Sequence, residues 1–330
     1  MMNLPLLHQL HSQGLLSDES FEKAKSQSAS KLFSLHWELK TILYLGIMLL
    51  SSGIGILVYK NIDSIGHQVI LLFIALVCAG SFFYCFKHKL PFSTERVLAP
   101  NSFFDYILLL GCLMFITFIA YFQYQYNVFG SRYGLAVFFP MLILFFSAYY
   151  FDHLGILSLA ITNMAAWLGI TVTPLRILQA NDFNSISIIL TGVFLGAVLI
   201  AMALATDKRN IKKHFAFTYS NFGMHILFIA CLAGMFYFDG LYVLWFFLLA
   251  GIVFYFYTKA IANKSFYILL ICTLYAYIGI SYVVIRLLSY ISSLDLAAVY
   301  LGFIYFIASG TMLIIFLMRT NKKMKLHDSV

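Results

Sequence analysis

The side chains able to do acid–base or electrostatic chemistry are 13 carboxylates, 9 histidines and 21 Lys or Arg in a chain of 330 residues. Their placement excludes more than it offers. The acids, from Asp18 through Glu38, Asp105, Asp152 and Asp239 to Asp328, stand in polar stretches or within a turn of the end of an apolar run. A charge held at mid-depth in a bilayer costs about 2.5–3.5 kcal/mol on insertion scales, so a proton relay would show itself as a carboxylate deep inside such a run. None is there. Of the histidines, His8 and His11 are at helical contact spacing, without cysteine or carboxylate support, and no metal centre is expected. Glycine-rich phosphate loops, nucleophile elbows and zinc-peptidase motifs do not occur where their mechanisms could operate. The chain therefore reads as non-enzymatic, with no cofactor and no metal.

Neutral polar groups remain. Asn163, in LSLAITNMAAWLGI with Ser158 and Thr162 nearby, is the most central of them. A hydrogen bond to a neighbouring helix is its first reading and a substrate contact its second. His225, about two turns into another apolar run, is expected to stay neutral and donate to a carbonyl. The tract AYFQYQYNVFGSRYG, residues 120–134, gathers four tyrosines with Gln123 and Tyr126, while Asn61 and Asp63 follow the first apolar run. Asn61, Asp63, Gln123, Tyr126 and Asn163 form the candidate small-molecule binding set. The tyrosines fit an interfacial aromatic belt as well as a ligand mouth. In the first apolar run, Ser51 and Gly55 form a small-xxx-small pair that close helix packing explains.

The elements that must position these residues follow from composition. Hydrophobic residues make up 62% and charged residues 10%, against about 25% charged in soluble domains. Apolar runs long enough to cross a hydrocarbon layer of about 30 Å recur along the chain. They predict an all-α, polytopic transmembrane bundle of ten spans: 41–59, 67–86, 104–123, 133–151, 155–173, 187–206, 219–238, 241–258, 265–287 and 296–318. Asp152 with His153, and Asp239 with Gly240, are the only breaks between two pairs of adjacent spans. Loop parity tests them. With the N-terminus inside, the outside segments hold only Lys60, Arg132, Arg176 and Arg286 of the 21 basic residues. Basic residues concentrate in cytoplasmic loops, and dropping one span would invert every later loop, so the bias supports the count and places both termini in the cytoplasm.

Residues 1–38 are the stretch with soluble character. Leucines spaced up to Gly14, then Ser17 before Asp18, Glu19 and Glu22, predict a small cytoplasmic helical hairpin. No cleavable signal segment is expected, and the first span serves as the insertion signal. Residues 319–330 form a basic tail. The net charge of +8 is dispersed in loops, which gives no support to a nucleic-acid partner. The five cysteines lie in apolar runs and are read as packing residues rather than disulfides. Ten spans divide into five plus five, yet the first and sixth show no convincing repeat register.

The order GLLSDESFEKA, then a first span ending GILVYKNIDSIG, then the aromatic tract and YYFDHLGILSL resembles a bacterial family of predicted membrane proteins, domain of unknown function 2157. Asn61 and Asp63 match the family's span exit, where Ile62 replaces its usual tryptophan, and Gln123, Tyr126 and Gly130 match its aromatic segment loosely. The resemblance is best over residues 5–170. It implies an integral protein of a bacterial inner membrane and supplies no catalytic residue. Two functions are expected from these observations: a carrier of a small-molecule or lipid-like substrate within the lipid bilayer, or a membrane scaffold or sensor whose residues 1–38 dock a cytoplasmic protein partner.

Overall fold

The computed structural model describes residues 13, 17, 20–21, 35–172, 185–291 and 295–326. The expected hairpin over residues 1–38 lies almost wholly outside them. At its second start, Ser20 N donates to Ser17 Oγ at 3.4 Å and Phe21 N to Ser17 O at 2.9 Å, the two bonds of a capped helix. From residue 35 onward the described residues form long helices and no strand: α1 Leu35–Ile65, α2 His67–His88, α3 Ser102–Tyr126, α4 Tyr133–Phe151, α5 Leu154–Val172, α6 Ile186–Arg209, α7 Phe215–Tyr237, α8 Tyr242–Ala262, α9 Phe266–Ile291 and α10 Asp295–Leu326. Among the described residues, nine of these (α2–α10) are long and apolar enough to cross a membrane, while the apolar part of α1, Thr41–Leu57, is shorter. The fold is an all-helical, multi-pass membrane architecture.

The chain divides into two units, Met1–Ile65 and Gly66–Val330. The first contains α1. In the second, local chemistry explains where the helices begin and end. Asn101 Oδ1 accepts from Phe104 N at 2.8 Å and Ser185 Oγ from Ile188 N at 3.3 Å, so each side chain satisfies a backbone donor that the first helical turn leaves open. At the other ends, Asn127, Asp152 and Asn210 adopt left-handed backbone (φ 48°, 60° and 52°) as caps of α3, α4 and α6. Asn and Asp are the non-glycine residues that tolerate this conformation, because a short polar side chain can bond locally. Asp152 thus turns the chain between α4 and α5 within two residues.

Consecutive helices of this unit pack as neighbours, and α6 against α7 is the most extensive pairing. There the backbones come close. A Cβ built on Gly196 would lie 3.1 Å from Gly223 O, and one on Gly223 would lie 3.0 Å from Gly196 O. Small residues permit such approach, and in lipid that van der Waals contact replaces the missing hydrophobic drive between helices. Two buried clusters result. One runs through α2–α7 around Leu108, Leu144, Ile156, Leu199 and Tyr219; the other joins α7, α8 and α9 around Phe228, Met235, Phe256 and Leu269. Helix α7 serves both.

Outside the clusters, large apolar side chains face outward, Phe83 at 71% and Phe254 at 70% exposure among them. Contiguous apolar surface of this extent is intolerable in water and necessary in hydrocarbon. Helix α10 is the extreme case. None of its apolar stretch Tyr300–Lys323 is buried.

Candidate binding site

Polar contacts sort the second unit into two ends. At one end the loop after α2, the α4–α5 turn and the α6–α7 turn meet on Asp152, whose carboxylate is 1% exposed. It accepts from Val97 N at 2.5 Å, Lys212 Nζ at 2.9 Å and His214 Nε2 at 2.5 Å. Lys212 is itself buried, and its ammonium also donates to Glu95 O at 3.1 Å. Next to this junction His153 Nδ1 accepts from Ile156 N at 3.1 Å, starting α5, and its Nε2 lies 3.9 Å from Asp105. Lys89 donates to the Tyr150 hydroxyl and stands over the ring of the same residue. The Asp152 carboxylate and the Lys212 ammonium are buried and bonded to groups of three different loops, so the junction is a clamp between loops. The sequence marks Asp152 only as a break between spans; its pairing with a lysine sixty residues away leaves no signal in spacing.

The opposite end carries two of the sequence-nominated residues, Gln123 and Tyr126, while Asn163 lies midway along α5. Gln123 is 5% exposed. Its Nε2 donates to Asn127 Oδ1 at 3.1 Å and Gly130 O at 3.0 Å, and its Oε1 accepts from Phe129 N at 2.8 Å. The amide therefore stitches the α3–α4 loop, where Gly130 has φ +56°. Tyr126 is 43% exposed and packs against Phe122 at 5.6 Å. Asn163 Nδ2 donates at 3.1 Å to Leu159 O of its own helix, where an interhelical bond was the sequence expectation. Asn61 and Asp63 lie on the backbone of α1, and their side chains are outside the described residues. At this end also Tyr121 hydrogen-bonds His67, and Arg286 pairs with Asp239 and Tyr282.

His225 differs from its sequence expectation. Its two ring nitrogens hydrogen-bond the hydroxyls of Tyr275 and Tyr267, each at 3.2 Å, and Tyr267 donates onward to Asn221 Oδ1 at 2.9 Å. Tyrosines one helix away, not a backbone carbonyl, satisfy it.

A large open space lies elsewhere in the second unit. Because α10 packs beside α9 without burying its own apolar face, a cleft of about 1340 Å³ opens between α8, α9 and α10. This exceeds the roughly 300–1,000 Å³ of ordinary small-molecule pockets. Its walls are Ile261, Ile280, Met312, Leu313, Ile315 and Phe316. Along it, Tyr277 pairs with Ser309 at 3.2 Å, and close by Ser281 pairs with Tyr305 at 3.0 Å, tethering α10 to α9 through hydroxyl pairs. Lys264, Arg319 and Lys323 line the cleft at one mouth. The mouth is at the end of the unit that carries Lys212, since Phe217, two residues into α7, contacts Tyr267 at the start of α9 with ring centroids 6.4 Å apart. Gln123, Tyr126 and Asn163 are not among its lining residues. In the sequence, residues 319–330 stand out as a basic tail, and the cleft's other lining residues carry no mark of their own.

Residues 6–157 match the model of a family described as Predicted membrane protein (DUF2157). No curated protein and no solved structure matches the chain. The cleft is built from residues beyond the matched segment, whereas Val97 and Asp152 of the loop clamp fall within it.

Proposed function

From a multi-pass chain matched over residues 6–157 to a family of predicted membrane proteins, we propose a non-enzymatic carrier of a lipid-like substrate in a bacterial inner membrane. The substrate lies in the cleft between α8, α9 and α10. The observation that carries this reading is the cleft's construction: large, apolar along its walls and bounded by a helix with no buried apolar stretch. A soluble metabolite would need convergent polar groups to fix it, and the hydroxyls present pair with one another. An amphiphile needs an apolar wall and a polar mouth, which the cleft has. In the orientation that puts basic loops inside, that mouth faces the cytoplasm.

Transbilayer movement or intermembrane transfer of fluorescent single-chain and two-chain amphiphiles by the reconstituted full chain tests this. Native protein should move at least one class of them, and Leu313→Trp, which narrows the cleft without touching the hydroxyl pairs, should slow that movement while leaving insertion and thermal stability near native. A native protein that moves none, or a Leu313→Trp protein as fast as native, contradicts the reading.

A further inference from the structure

The segment that joins α2 to α3, residues 89–101, is polar on one side and apolar on the other. The backbone of its bend is taken up by the clamp: Thr94 O accepts from Lys212 N at 2.7 Å, Glu95 O accepts from Lys212 Nζ at 3.1 Å, and Val97 N donates to Asp152. Its apolar side chains are left outside. Leu90 is 46% exposed, Phe92 54% and Leu98 69%. Leu90, Pro91, Leu98 and Pro100 border one shallow depression over Tyr150 and Phe151 of α4, of about 10 Å³ or the room of a single water, so they form one patch. A loop free to rearrange would turn such side chains inward, and the clamp prevents it.

The patch continues a surface that already faces lipid. Phe86, exposed near the end of α2, packs on the same Tyr150 and Phe151 with ring centroids 5.7 and 5.2 Å away, and exposed Phe103 opens α3 on the other side. The backbone beside the patch suits a medium poor in water, because Pro91 and Pro100 have no N–H to leave unsatisfied. We infer that this loop is a membrane anchor: Leu90, Phe92 and Leu98 insert at the headgroup–acyl boundary of the leaflet on the clamp side and fix the depth of that end of the unit. Exposed apolar patches serve protein partners as well as membranes, but a protein covering this one would have to enter the headgroup layer beside Phe86. Glu95, exposed at the bend, stays in water, since a carboxylate is costly to carry deeper. The anchor is independent of what the cleft carries.

Nitroxide labels on Leu98→Cys and Glu95→Cys variants of the full chain in nanodiscs test this by their collisions with oxygen, which concentrates in lipid, and with a water-soluble nickel chelate. Unsubstituted protein gives the background from the native cysteines, of which Cys85, Cys112, Cys231 and Cys272 are buried and Cys78 is partly so. The oxygen-to-nickel ratio should be several-fold higher at position 98 than at position 95. Adding Leu90→Asp, a change at an exposed side chain, should bring the ratio at 98 down to that at 95 with the thermal midpoint near native. Equal ratios at the two positions without Leu90→Asp put the loop in water and overturn the inference. Exclusion of both reagents from position 98 shows a protein cover and overturns it too, and a ratio there unmoved by Leu90→Asp shows that the apolar side chains do not hold the loop in the membrane, with the same consequence.

Discussion

Asp152 and Lys212 show how much one buried pair controls at the level of single residues. Removing one partner leaves an uncompensated buried charge, which costs about 3–5 kcal/mol. Lys212→Met should therefore lower the thermal unfolding midpoint of the detergent-solubilised protein strongly. Its neighbour Lys213, 67% exposed and 3.3 Å from an exposed Asp207, offers the contrast, and Lys213→Met should change stability by less than about 1 kcal/mol. Equal effects from the two would contradict the clamp. Gln123 is a second case. Truncation to Ala leaves the amide partners in the α3–α4 loop unsatisfied, an expected loss of about 1–3 kcal/mol. Hydrogen exchange at Phe129 and Gly130 should accelerate in that variant, and unchanged protection there would show that the amide does not hold the loop. The sequence drew attention to Gln123, Asp152 and His225 by type alone. Their partners lie on other segments or are backbone atoms of a turn, and neither leaves a pattern in residue spacing.

Helices were the legible elements. Runs of apolar residues of membrane length set an all-helical, multi-pass class, and short polar breaks such as Asp152 can end a helix because Asp tolerates left-handed backbone. Which faces pair was not legible, since lipid-facing and core-facing positions are equally apolar and the usual amphipathic stripe disappears. Glycines carry part of that missing information. Gly196 meets Leu227 and the Gly223 carbonyl within 3.1 Å, while nothing lies within 4 Å of a Cβ at Gly251. Gly196→Leu should destabilise the protein by about 1–3 kcal/mol through overpacking of α6 on α7. Gly251→Ala on α8 should be neutral or stabilising by about 0.5–1 kcal/mol, as expected where a helix interior loses only backbone freedom. Thermal shifts of the two purified variants compare them directly, and a Gly251→Ala variant as damaged as Gly196→Leu would contradict the assigned packing.

At the scale of the molecule, burial is uneven. Half of the apolar window of α7 is buried and none of that of α10, so within the second unit α7 is tightly packed and the last helix is open. The openness follows from how α10 is held, by the hydroxyl pairs Tyr277–Ser309 and Ser281–Tyr305 rather than by a core of its own. Function in the proposed sense depends on that loose edge, because a substrate drawn from the bilayer can enter only where two helices part. The most direct measurement is a map of where a photoreactive acyl chain attaches to the reconstituted full chain. The carrier account predicts labels concentrated on α8, α9 and α10 around Ile280, Met312 and Phe316, and reduced when Leu313→Trp narrows the cleft. Labels spread evenly over the outward faces of all the helices, and unaffected by Leu313→Trp, would contradict it.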